Sequence, residues 1–195
     1  MAEPVRTSPL AALARPERRV HGPEPVTLAA LPFRGKLVVR GDREVRARAS
    51  AVIGCELPGT LRGTAGGGVE ALWLGPDEWL LLTATEDAGR TATALREALS
   101  GLHHAVVDVS DRLTGISVEG ARARDVLNAG VPLDLHSRAF PPGTVGRTVL
   151  AKAPIVLRRP AEGEAFDLHV NGSLAPYAWL FLENAAREFG FTIAA

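Results

Sequence analysis

Five histidines, at positions 21, 103, 104, 136 and 169, and one cysteine, Cys55, are the side chains from which a metal or nucleophilic centre would have to be assembled. His103 and His104 are adjacent, so in a helix or a strand their rings project in different directions and make poor joint ligands. No HExxH or CxxC spacing accompanies them. A single cysteine allows neither an intramolecular disulfide nor a Cys-rich metal or iron–sulfur site from this chain alone. Cys55 reads instead as a small buried apolar residue on a helix. No G-x-S-x-G elbow is present to present a serine nucleophile. Gly66-Gly-Gly68 follows a helical pattern and precedes a strand, whereas a dinucleotide loop must join a strand to the helix N-terminus that holds the pyrophosphate. These glycines therefore read as a plain flexible loop.

The remaining polar candidates are contacts, not reacting groups. Asp108, Asp111 and Arg112 stand at the end of a buried-type strand, where carboxylates either touch a ligand or cap and pair locally. His136, Arg138 and Phe140 share a Pro-containing connection. His136 is there either a satisfied loop histidine or part of an interface anchor, since an aromatic with an arginine is a common hot-spot pairing. Trp73 and Trp79 straddle a turn; one at least is expected in the core, and an exposed one would mark a partner surface.

The elements that must position these residues are legible from periodicity. Met1 to about Pro32 is expected to be an extended arm, because prolines at 4, 9, 16, 23, 25 and 32 interrupt any regular helix. Its apolar patch, with Leu10 and Leu13, is expected to need a partner's surface, so deletion of residues 1–32 is expected to leave folding nearly intact. Leu37–Val39 reads as a strand and Asp42 as an N-cap. Val45, Ala49, Val52 and Ile53 then share one helix face, and Pro58-Gly59 ends the helix. Ala71–Leu74 and Trp79–Thr83 flank Gly75-Pro-Asp-Glu78 as a hairpin. A helix over 88–99 and a strand over 105–109 complete a βαββαβ plait. A related βαβββα unit follows, with a helix over 121–128 ending in a left-handed Gly130 and strands at 145–151, 155–158 and 166–170. The last helix carries Leu174, Tyr177, Phe181 and Ala185 along its inner face, with a Glu183–Arg187 pair outside. The fold class expected is α+β, two ferredoxin-like α/β sandwich halves over 33–110 and 111–195.

Composition narrows the function classes. The 195 residues carry 22 Lys plus Arg against 22 Asp plus Glu, and 46% are hydrophobic. A neutral, globular balance gives no electrostatic case for nucleic acid or an anionic membrane. No apolar run reaches spanning length and no secretory h-region opens the chain, so a cytoplasmic location is expected.

The block Val131-Pro-Leu-Asp-Leu-His-Ser-Arg-Ala-Phe140, followed by Leu150-Ala-Lys-Ala-Pro-Ile-Val-Leu157, resembles one typical of the gamma subunit of heterotetrameric sarcosine oxidase. The likeness extends over most of the chain. Ser8-Pro-Leu-Ala11, Leu31-Pro-Phe-Arg-Gly-Lys-Leu-Val-Val-Arg-Gly-Asp42, Val106-Val-Asp-Val-Ser110 and Tyr177-Ala-Trp-Leu180 keep the family order. Leu72-Trp-Leu-Gly-Pro-Asp-Glu-Trp-Leu-Leu-Leu82 is similar to a hairpin of the wider folate-binding T-protein superfamily. The resemblance implies a T-protein-like fold and a non-catalytic chain with no cofactor or metal of its own. It implies packing on an alpha subunit, with beta and delta subunits in the complex. Such complexes demethylate sarcosine to glycine, giving hydrogen peroxide and formaldehyde or methylene-tetrahydrofolate. FAD, FMN and NAD are implied in the large subunits, zinc in delta, and tetrahydrofolate as acceptor. Leu10, Leu13, His136, Arg138 and Phe140 are the expected interface residues. The alternatives are the corresponding subunit of an N-methyl amino acid dehydrogenase and a stand-alone folate-binding T-protein-like protein. The iron–sulfur assembly relatives of the latter carry a Lys-Gly-Cys-Tyr-type motif that Ile53-Gly-Cys-Glu56 does not match.

Overall fold

The structure, a computed structural model, describes residues 6–161 and 163–194; positions 1–5 of the expected arm lie outside it. Its first regular element is a strand that the proline-rich sequence concealed. In β1 (Val26–Ala30) the alternating Val26 and Leu28 are wholly buried. Pro25 and Pro32 flank this strand and so cost it no ladder hydrogen bond.

The first half is β2 (Gly35–Gly41), α1 (Arg43–Ile53), β3 (Gly63–Gly66), β4 (Val69–Gly75), β5 (Glu78–Thr83), α2 (Ala88–Ala98) and β6 (His104–Asp108). Its sheet runs β3-β4-β5-β2-β6, the ferredoxin-like plait with one extra edge strand. Asp42 caps α1, its Oδ1 accepting from the Glu44 and Val45 amides at 2.9 and 3.0 Å. The helix stops at Gly54, whose φ of 62° ends it before Pro58 is reached. Val52 is 40% exposed, so only Val45, Ala49 and Ile53 of the expected face point inward. Gly67 and Gly68, with φ of 55° and 77°, form the two-residue turn joining β3 to β4. The expected flexible loop is therefore a hairpin turn, whose paired positive φ values suit glycine. Trp73 faces Trp79 across β4 and β5, and the buried Trp79 donates its Nε1–H to the Pro58 carbonyl at 2.9 Å.

The second half is β7 (Leu113–Glu119), α3 (Ala123–Asn128), β8 (Val145–Leu150), β9 (Ala153–Arg158), β10 (Ala165–Asn171), α4 (Ala175–Ala186) and β11 (Phe191–Ala194). Its sheet runs β11-β1-β7-β10-β9-β8. The final strand β11 was not expected; it closes the βαβββα unit into a plait-like one. β1 is inserted between β11 and β7, parallel to the former and antiparallel to the latter. Residues 26–30 are thus a central strand of the second half, and the expectation that the first 32 residues are dispensable for folding is overturned.

Each helix pair covers the outer face of its own sheet, and the inner faces stack on each other. Val45, Ala49, Ala92 and Leu95 pack with Leu37, Val39, Trp79 and Leu81 on one outer side. Val126, Trp179 and Leu182 pack with Leu28, Ile116 and Leu168 on the other. Leu72, Leu74, Leu80 and Leu82 meet Val145 and Val156 between the sheets. This explains the unbroken apolar run in β5, which is buried on both faces.

Four further expectations change on packing grounds. Leu10 is 0% exposed and belongs to the second core, with Leu13 half-buried against it. The arm is held further by paired Val20 and Phe191 backbones and by Arg18, whose Nε donates to Glu183 Oε1 at 3.0 Å. Glu183 also accepts from Trp179 Nε1 at 2.8 Å, so it is a buried acceptor and not the outer partner of Arg187. The inner face of α4 is Ala175, Ala178, Trp179, Leu182 and Ala186, while Tyr177 stays partly exposed. Gly130 is not left-handed. A Cβ there would fall 2.6 Å from Phe181 Cζ, so any larger residue would have to displace that ring.

Candidate functional site

The connection after α3 is organised by its own backbone. Val131, Leu135 and Phe140 enter the second core and pin its ends. Asp134 Oδ1 accepts from the His136 amide at 2.9 Å, and the His136 carbonyl accepts from the Ala139 and Phe140 amides at 2.9 and 2.8 Å. The Arg138 amide donates to His136 Nδ1 at 3.3 Å, which leaves the ring proton on Nε2 of the neutral form. His136 and Arg138 are both exposed. Phe140 is 4% exposed, with its ring centroid 6.2 Å from that of Phe166. Of the five expected interface residues, the structure leaves only His136 and Arg138 together on the surface. Leu10 and Phe140 are core residues and Leu13 lies against the core, because the second half folds over its own N-terminal segment.

The strand-end carboxylates are satisfied locally. Asp108 Oδ1 accepts from the Ser110 hydroxyl at 2.6 Å and the Ser110 amide at 2.8 Å, which together hold its carboxyl below the usual range. Ser110 Oγ in turn accepts from the Lys36 amide at 2.9 Å. Asp111 pairs with Arg6 and Arg112 donates to Asn171 Oδ1 at 3.2 Å.

Sequence reasoning missed a polar cluster between the sheets. β10 alternates Phe166, Leu168 and Val170 toward the helices with Asp167 and His169 toward the other sheet. Such alternation reads as a strand with one wet face, and only the second sheet makes that face an interior. Asp167 stands opposite Arg158 in register, accepting from its Nε at 2.8 Å. Arg158 also pairs with Glu70 of β4, which pairs in turn with Arg34. Burial alone would raise the Glu70 carboxyl, but the Arg34 and Arg158 guanidinium groups outweigh it and hold it low.

Two cluster members lack such partners. Lys36 is 3% exposed and its Nζ donates to the Arg34 carbonyl at 3.3 Å. Burial, then the Arg6 and Arg34 charges, lower its pKa against the opposing pull of Asp111. His169 is 4% exposed, and neither ring nitrogen has a hydrogen-bond partner among the described residues. Burial, with Arg158 and Lys36 next, depresses it to about 3, so it is neutral at physiological pH.

Among the described residues no three His, Cys, Asp or Glu side chains gather as metal ligands, and no helix is long and apolar enough to cross a membrane. Two plait-like halves stacked sheet to sheet define a T-protein-like α+β protein. The glycine cleavage system aminomethyltransferase T from Bartonella henselae shares that fold at a TM-score of 0.63. It is 13% identical, over 87% of this chain and 47% of that one. The family model described as "Sarcosine oxidase, gamma subunit family" matches residues 40–188. A relative named sarcosine oxidase subunit gamma, from Corynebacterium sp. strain U-96, is 32% identical over 191 residues, 95% of this chain and 92% of that protein. A chain of the solved heterotetrameric sarcosine oxidase from Corynebacterium sp. U-96 superposes with a TM-score of 0.86 at 31% identity, covering 97% of each chain. The chain belongs to the sarcosine oxidase gamma subunit family.

Proposed function

We propose that this chain is the gamma subunit of a heterotetrameric sarcosine oxidase and supplies packing surface, not reacting groups. The observation that carries the reading is the superposition on a chain of such an oxidase over 97% of both lengths, with no large insertion or missing half. The role follows from where the polar groups stand. Asp108, Asp111 and Glu183 are committed to capping and pairing within the chain. The exposed His136–Arg138 turn, rigidly backed by Leu135 and Phe140, supports an interface with a neighbouring subunit. The alpha subunit is the neighbour in this reading, with beta and delta completing the complex. FAD, FMN and NAD belong to the large subunits, zinc to delta, and tetrahydrofolate serves as acceptor.

Co-expression with the three other subunits tests the assignment. Affinity capture through a tag on this chain should recover a flavin-containing tetramer that forms peroxide from sarcosine. The isolated chain should be colourless and inactive. Recovery of this chain alone, or turnover by it alone, refutes the reading.

A further inference from the structure

We propose that the cavity between the sheets, bounded by Lys36 and His169, is a binding site for a small monoanion of the short-chain carboxylate class. The cavity holds about 140 Å³, and its walls include Leu31, Leu82, Arg158 and Asp167. At roughly 30 Å³ per water this is room for an acetate-sized molecule with one or two waters, and too little for a sugar acid.

Charge accounting selects the sign and number. Arg34, Lys36 and Arg158 bring three positive charges to the cluster, and Glu70 and Asp167 bring two negative ones. Both carboxylates are taken by the arginines. The unmatched charge therefore rests on Lys36, whose own contact is a neutral carbonyl at 3.3 Å. Arg6 is matched separately by the exposed Asp111 and adds no carboxylate to the interior. A buried charge without a counter-charge is strongly disfavoured, and one monoanion restores balance where a dianion would overshoot. His169 supplies the second recognition group. The ring borders this cavity with both nitrogens unpartnered and closed to solvent, so it must turn toward the cavity for its one N–H to reach the anion. Leu31 and Leu82 give the apolar wall against which a short hydrocarbon end packs. His169 also lines a neighbouring 260 Å³ groove, and Lys36 a 180 Å³ one, so the cavity lies next to two surface grooves.

The lining residues named are all in this chain, so the full-length isolated chain can be used whether or not it assembles with others. Thermal unfolding is followed at about pH 7.5 in sodium gluconate, an anion too large for the cavity. Acetate then replaces gluconate stepwise at constant sodium. The midpoint should rise and saturate with acetate. Lys36→Met, which keeps the stem and removes the charge, should lose the response. His169→Gln should weaken it roughly tenfold or more, the scale of one charge-assisted hydrogen bond. If Lys36→Met does not fold, His169→Gln decides. Equal behaviour of acetate and gluconate with the wild-type chain overturns the proposal, as does an acetate response kept by the folded variants. A response to chloride but not to acetate overturns the carboxylate assignment.

Discussion

Leu10→Ala separates a core residue from an interface anchor. Leu10 is 0% exposed, and its carbonyl accepts the Leu13 and Ala14 amides, each at 2.8 Å. That turn fixes the backbone, so the segment has little freedom to collapse into the space the lost side chain leaves. Leucine-to-alanine changes in such cores cost about 2–5 kcal/mol, and the pinned backbone places this one in the middle of that range or above it. A loss near ~3 kcal/mol lowers the melting midpoint of a chain of this size by roughly 6–12 °C. The assay is urea and thermal unfolding of the isolated chain by circular dichroism, with exposed Arg138→Ala as the control that should stay within about 0.5 kcal/mol of wild type. An isolated Leu10→Ala chain that melts with the wild type would refute the burial and return Leu10 to a partner's surface.

Trp79→Ala should cost about 3–5 kcal/mol, because it empties a core site and strands the Pro58 carbonyl; a shifted urea midpoint checks it. Stability should fall as pH drops from about 6.5 toward 3, since unfolded chains protonate His169 at its ordinary value of 6.5 and the folded one only near about 3. The slope reaches about 1.4 kcal/mol per pH unit, and His169→Gln should flatten it between about pH 6.5 and 5, above the range where Glu70 contributes with the same sign. His136→Ala with Arg138→Ala should leave the isolated chain's melting unchanged and lower the yield of assembled complex. Turnover per flavin in the fraction that assembles should stay near normal, and a drop beyond about tenfold would put this turn at the chemistry.

Much of the first half was legible because its signals are local. The Asp42 cap, the Gly75–Glu78 turn and the apolar spacing of α2 each act within a few residues, and each formed where its residues predict. The family blocks around His136 and the tryptophan hairpin likewise needed no structure, since residue order alone carries them. The destinations of segments were not legible. β1 pairs with β7 about ninety residues later, and nothing in Val26-Thr-Leu-Ala-Ala30 states which sheet it joins. Leu10 was visibly in need of cover, but that its own second half provides it is a consequence of β1 and β11 closing that sheet. The inter-sheet cluster was hidden for the same reason. Arg158 meets Glu70 across 88 positions, and the polar face of β10 becomes interior only when one sheet stacks on the other. Sequence sets the periodicity and the turns, whose energies are settled by neighbours along the chain. Tertiary structure decides which faces lose water, and with that which charges must find partners.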